Sequence, residues 1–224
     1  YVKYVDDVSA MSVSTDPNDD SLQQAVNDTY AWSLEHGMVL NATKSKEMCV
    51  VFTKAVDKQF ITPINNEIVE RVTSFKLLGV IIRCDLSWQE HVDYIITKAS
   101  KRFYVLCQLK RSGVCNLDII AVYCSLIRSV VEYASPVWHS GLTKNQSDLI
   151  EGVQKRCLRI IFPELSYSVA IQLAGLELLS VRREAACRNL FNEIKKPGHI
   201  LNKLLPLSDV KMFVHAIIIP IRRL

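Results

Sequence analysis

The hydrophobic period changes at Asp85, and that change decides what this chain can fold into. Ahead of it, apolar residues come in short β-prone blocks separated by turn residues, with one helical stretch among them. Beyond it they recur at intervals of three and four. A period near two belongs to strands and one near 3.6 to helices. The pattern predicts an α+β chain: a front of hairpins and one helix over residues 1–84, then an all-helical region over 85–224.

Within the front, Tyr1 to Val5 and Val8 to Val13 are two β-prone runs separated by Asp6-Asp7. They read as a tight hairpin with both acids at its tip. A helix is expected from about Asp19 to Glu35, with Leu22, Ala25, Val26, Tyr30 and Leu34 as its apolar stripe and His36-Gly37 as its stop. Glu47 to Phe52 is a continuous apolar run and reads as a central strand. Ile64-Asn-Asn-Glu-Ile has hairpin chemistry, because Asn tolerates the left-handed turn. Phe75 to Ile82 reads as a strand interrupted by Gly79.

In the helical part, Val92, Ile95, Ile96, Ala99, Phe103 and Leu106 form one stripe, with Lys98 and Lys101 off it and Arg102 at its margin. A second helix is expected over Asp118 to Tyr133, its stripe Ile119, Val122, Tyr123, Leu126 and Val130. A third is expected over Gln146 to Phe162, striped by Leu149, Val153, Cys157, Ile160 and Ile161, with Lys155 and Arg159 on the other face. Shorter helices follow at Ser168 to Ala174 and Ser180 to Lys195, and the tail from Lys196 has no clear period.

Composition narrows the function classes. Hydrophobic residues make up 49% of the 224, too many for a disordered chain. The strongest apolar run, Met212 to Ile221, is broken by His215 and Pro220 and falls short of the roughly 18 residues a membrane helix needs; no membrane partner is expected. None of the seven cysteines forms a C-x-x-C pair or a zinc spacing, so they read as reduced core thiols of an intracellular protein. Charge is divided unevenly. Residues 1–75 hold six Lys and Arg against eleven Asp and Glu, a net of −5, and residues 76–224 hold 21 against 12, a net of +9. An acidic front and a basic back suit a protein that holds cations at one end and a polyanion at the other.

The informative tetrapeptide is Tyr4-Val-Asp-Asp. Two adjacent acids at a turn can reach one small volume and offer the hard oxygen ligands that Mg²⁺ takes. The run Lys3-Tyr-Val-Asp-Asp-Val-Ser resembles the third catalytic motif of reverse transcriptases. The run from Trp32 through Gly37-Met-Val-Leu-Asn-Ala-Thr-Lys-Ser-Lys is similar to the next motif as it occurs in non-LTR (LINE-type) retrotransposons. Phe75-Lys-Leu-Leu-Gly-Val-Ile-Ile-Arg-Cys-Asp-Leu-Ser-Trp resembles the primer-grip motif, with its Leu-Gly at a hairpin turn. Tyr123 to Trp138 and Leu149 to Arg159 resemble the thumb helices. These pieces are collinear over about residues 1–162.

The resemblance implies the C-terminal part of a polymerase palm over 1–84, a helical thumb over 85–163 and a helical extension over 164–224. It implies an RNA-directed DNA polymerase that adds nucleotides to a primer 3′ end, with two Mg²⁺ ions. Asp6 and Asp7 match the metal-binding acids, and Tyr4 the aromatic near the primer end. Lys44 matches the lysine of the fourth motif, a role that Lys46 fills equally well by spacing. Leu78 and Gly79 match the primer grip. The expected partners are an RNA template, a DNA primer and deoxynucleoside triphosphates, with Lys98, Lys101, Arg102, Lys155, Arg156 and Arg159 as contacts to the nucleic-acid backbone. The family uses a third carboxylate ahead of the paired acids, which this sequence does not contain, and a strand pattern is already running at Tyr1. The chain is therefore read as a fragment, inactive by itself. Two other readings stand beside the enzyme: a catalytically dead nucleic-acid-binding remnant, and a helical interaction domain.

Overall fold

The computed structural model describes residues 2–4, 7–14, 20–50, 63–205 and 213–223. The chain forms two compact units, residues 1–87 with 206–224, and residues 88–205.

The first unit is a sheet with a helix against it. β1 (Val2–Tyr4) and β2 (Asp7–Ser14) pair antiparallel, with Tyr4 opposite Asp7. In β2, Val8 and Ala10 are buried while Met11 is exposed, the alternation of a half-buried strand. They pack on α1 (Ser21–Glu35) at Leu22 and Val26, in a core shared with Leu40, Ala42, Ile64 and Val69. Each buried Val, Leu or Ile among these contributes about 1.5–3 kcal/mol. The helix ends at the expected place, with Gly37 at φ 63°. Its buried face is Leu22, Val26, Thr29 and Ser33, and Leu34, expected inside, is 57% exposed. Thr29 and Ser33 can go inside because each hydroxyl donates to a carbonyl of its own helix, Ala25 and Tyr30.

β3 (Met38–Leu40) leads to β4 (Lys46–Val50), which is central as expected. Hairpin β5 (Pro63–Ile64) and β6 (Glu67–Ile68) turns at Asn65 and Asn66, both with positive φ. β7 (Glu70–Arg71) runs parallel to β4, and both register pairs are ion pairs: Lys46 with Glu70, and the buried Glu47 with Arg71 at 3.0 Å. The Phe75 to Ile82 run is a hairpin, not one strand. β8 (Ser74–Leu77) and β9 (Val80–Arg83) reverse at Leu78 (φ 45°) and Gly79 (φ 89°). Asp85 then fixes the exit, accepting two bonds from the Arg83 guanidinium and one from the Ser87 amide, which hold its carboxyl well below the usual carboxylate range.

β10 (Phe213–Arg223) corrects the all-helical reading of 85–224 and of the extension over 164–224. It lies between β2 and β4, antiparallel to both, and also pairs β3. The sheet order is β1-β2-β10-β4-β7. The expected apolar run from Met212 to Ile221 thus supplies a strand rather than a helix over Phe213 to Ile221, and Met212 lies outside the described residues.

The second unit is helical. The first expected helix breaks into α2 (Gln89–Ser100) and α3 (Phe103–Arg111), and Gly113 ends it at φ 74°. The next is α4 (Asn116–Val122), a π-helical segment (Tyr123–Arg128) and α5 (Ser129–Val131). The wide π turn shifts the buried face from Leu126 to Ile127. A short α6 (Ser135–Trp138) carries Pro136 in its first turn, and a 3₁₀ turn (His139–Gly141) follows. α7 (Lys144–Ile161) starts with a capping box between Thr143 and Gln146. Its buried face runs through Gln146, Ile150, Val153, Gln154, Cys157, Leu158 and Ile161, leaving Leu149, expected inside, 44% exposed. α8 (Tyr167–Leu173) and α9 (Leu179–Ile194) match the expected short helices. The seven cysteines are free, but only Cys157 is buried, and burial pushes its thiol up to about 12. Among the described residues, no helix is long and apolar enough to cross a membrane.

His91 is buried among Trp88, Tyr94 and Trp138, and burial lowers its pKa from 6.5 to about 4. Between those values the unfolded chain binds a proton that the folded one refuses, so stability falls as pH drops through 6.5 toward 4. From pH 7 to pH 5 this group should cost about 2 kcal/mol. Urea midpoints at the two pH values should separate more for the wild type than for His91→Asn, and an equal separation would show that His91 does not carry the loss.

Candidate functional site

The first unit holds Tyr4, Asp7, Lys44, Lys46, Leu78 and Gly79 of the residues expected at a site. Tyr4 closes β1 and Asp7 opens β2, directly paired, while Asp6 lies outside the described residues. Across the sheet, Asp7 is opposite Pro220 of β10, and Lys46 is opposite Ile218 of the same strand. Asp7 and Lys46 thus share one end of the sheet with β10 between them, a lateral separation of about 10 Å at ordinary strand spacing.

The two lysines left open by spacing differ in their surroundings. The Lys46 ammonium is bound by Glu70. Lys44 is exposed, in a turn folded by Asn41, whose side chain accepts from the Lys44 amide at 3.1 Å and from the Thr43 hydroxyl at 2.7 Å. Ser45 is buried and donates to the Asn41 carbonyl. Among the described residues Lys44 has no ion-pair partner, so of the two it is the one whose charge is available. Among the described residues no three His, Cys, Asp or Glu side chains group so as to hold a metal. Asp6 and Asp7, adjacent in the sequence, are donors of the kind Mg²⁺ accepts, but two carboxylates make only part of a ligand set. Leu78 and Gly79 occupy the β8–β9 reversal, and Leu78 is 45% exposed at positive φ, a conformation costly for a branched side chain.

In the second unit, α7 packs against α2 and α3. The Arg156 guanidinium lies 4.9 Å from the Phe103 ring centre, Lys155 Nζ 5.4 Å from that of Tyr167, and Lys98 Nζ 5.8 Å from that of Tyr94. Arg156 therefore joins α7 to the α2–α3 junction that carries Lys101 and Arg102. Lys98, Lys101, Lys155, Arg156 and Arg159 are exposed and make no ion pair among the described residues. Arg102 is the exception. It is half-buried and donates to the Leu126 carbonyl, so part of its guanidinium is already engaged within the unit. Three other cations of the unit have acidic partners within the chain: Arg128 and Arg182 share Glu132, and Arg188 pairs with Glu184.

A buried polar cluster was missed from the sequence. Gln154, fully buried, accepts from the Tyr123 hydroxyl at 2.6 Å and donates to the Tyr167 hydroxyl and the Glu177 carbonyl, both at 3.0 Å. The Tyr167 hydroxyl also donates to Glu151, and with burial this carboxylate raises its pKa. Arg183, fully buried on α9, donates to the Ser147 hydroxyl at 2.9 Å and lies over the Trp138 ring. The available signal was polar residues at core spacing: Ser147, Glu151 and Gln154 follow one another at intervals of four and three.

Compared with known proteins, the chain matches no family model, no curated protein and no solved structure.

Two outcomes follow from these surfaces. On a labelled RNA–DNA hybrid, replacing Lys155, Arg156 and Arg159 together by Gln should reduce the slope of log K against log salt by about 2 to 3, at roughly 0.9 per phosphate contact; an unchanged slope removes α7 from the interface. Leu78→Asn should relieve the left-handed strain and raise stability by about 0.5–1 kcal/mol in urea denaturation, and a loss of stability would mean that the Leu78 side chain is needed where it is.

Proposed function

We propose that this chain is the C-terminal palm and thumb portion of an RNA-directed DNA polymerase of a non-LTR retrotransposon, adding deoxynucleotides to a primer 3′ end on an RNA template. The observation that carries the reading is the hairpin at its first motif. Tyr4 and Asp7, the two ends of the Tyr4-Val-Asp-Asp run, are paired directly across antiparallel strands, which suits a motif whose neighbouring acids act on one volume. The collinear order of the later motifs supports it, as does the free charge of Lys44.

In this reading Asp6 and Asp7 would hold Mg²⁺, together with a third carboxylate that this sequence does not supply. Bound metal neutralises charge on the attacking and leaving oxygens of a phosphoryl transfer. Tyr4 packs beside the primer end. Lys44 faces the triphosphate and donates a proton or a compensating charge to the leaving pyrophosphate. The Leu78-Gly79 reversal holds the primer strand, and the unpaired cations of α2 and α7 hold the duplex by its phosphates without reading its sequence. These cations equally suit the second reading, a remnant that binds nucleic acid and has lost chemistry.

Single-nucleotide incorporation on an RNA template separates the two. In a polymerase containing this segment and the third carboxylate, Asp6→Asn should lower incorporation by at least about 10²-fold while primer–template affinity stays within about twofold, because the amide keeps the shape and loses the charge. The 224-residue chain alone should bind and not extend. An active Asp6→Asn polymerase would remove Asp6 from the metal site, and incorporation by the isolated chain would show that the third carboxylate is dispensable.

A further inference from the structure

Tyr104 is 68% exposed on α3, although its neighbours Phe103 and Leu106 are buried. A tyrosine ring left in water on a well-packed helix has no role in the core. Its surroundings are cationic. Arg111 lies seven residues on, on the same face, and Lys101 three residues before, at the α2–α3 junction; both are exposed and neither makes an ion pair among the described residues. The junction stays close to helical, with Lys101 at φ −59° and ψ −20° and the Val105 amide donating to the Arg102 carbonyl at 3.1 Å. From Lys101 to Arg111 the axis rises about 15 Å, with the ring between the two charges.

An aromatic ring between two uncommitted cations fits one class of ligand, a phosphodiester strand with unpaired bases. Cations hold the backbone and the ring stacks on a base face. Bases inside a duplex are already stacked on each other and present only their edges, so the ring has nothing to meet there. We propose that the Lys101–Tyr104–Arg111 face of α3 is a stacking platform for single-stranded nucleic acid. The proposal rests on the nucleic-acid part of the function above and not on its catalytic part.

The test is fluorescence anisotropy with the 224-residue chain, a labelled short oligo(dT), the matching oligo(U), a duplex of equal length, and inorganic polyphosphate as competitor. Tyr104→Ala should weaken both single strands about 5- to 100-fold, leave the duplex within about twofold, and leave the salt slope unchanged. Tyr104→Phe keeps the ring and should bind nearly as the wild type does. Lys101→Gln with Arg111→Gln should instead lower the single-strand salt slope, by roughly 0.7 for each lost phosphate contact. Full affinity in Tyr104→Ala, or equal losses on duplex and single strand, overturns the stacking role while leaving nucleic-acid binding in place. Failure of the wild type to bind any nucleic acid, or displacement of oligo(dT) by polyphosphate without any effect of Tyr104→Ala, shows a charge surface at most and overturns the platform. Thermal melts of each variant should match the wild type, since the substituted side chains are exposed.

Discussion

The rotation of α7 about its own axis is set by one buried amide. Gln154 has no access to water, so every bond it forgoes is lost outright. Its bonds reach the π-helical segment through Tyr123, α8 through Tyr167, and the Glu177 carbonyl ahead of α9. Turning α7 by one residue, about 100°, would strand all of them and put either Lys155 or Val153 in the amide's place, a charge or a side chain that can make none of these bonds. The outward direction of Lys155, Arg156 and Arg159 is thus a consequence of polar bonds on the opposite side of the helix. The apolar residues alone would leave the angle looser, because aliphatic contacts have little directional preference.

The same cluster explains how the unit divides its charges. Glu132 takes Arg128 and Arg182, and Glu151 faces inward with Tyr167, so the acids of this region are spent on holding helices together. Lys98, Lys101, Arg111, Lys155, Arg156 and Arg159 are left without an acidic partner among the described residues. The positive balance of the back half of the sequence is therefore more than a count: the fold has internalised part of what would cancel it.

How much was legible in the sequence follows the range of the interactions. Local chemistry was readable: the reversal between Tyr4 and Asp7, the Gly37 stop, the Asn65-Asn66 turn, and α7 to α9 are all written in neighbouring residues. Faces were read less well. Leu34 and Leu149 were expected inside and are exposed, since Thr29, Ser33, Gln146 and Gln154 occupy the core instead and satisfy their polar atoms there. Pattern reading ranks a leucine above a glutamine and has no access to the partner that makes the glutamine acceptable. β10 was missed for a different reason. Its run of apolar residues from Ala216 to Ile219 carries no alternation, and its partners lie far away in sequence. For the candidate site, the lysine spacing left Lys44 and Lys46 equivalent, and only the pairing of β4 with β7 put Glu70 beside one of them.

The position of β10 also imposes a schedule. Ile217 pairs with Ala10, so the two are made roughly 200 residues apart. At about 5–20 residues per second, β2 and β4 wait on the order of 10–40 s before the strand between them exists. Helices 88–205 emerge during that interval and can fold from near neighbours alone, whereas the sheet must close a long loop. A newly synthesised chain therefore passes through a period in which its helical unit is complete and two strand edges stand open. Those edges can accept any extended segment that arrives first, which makes this interval, and not the finished fold, the time at which the chain is most exposed to mispairing.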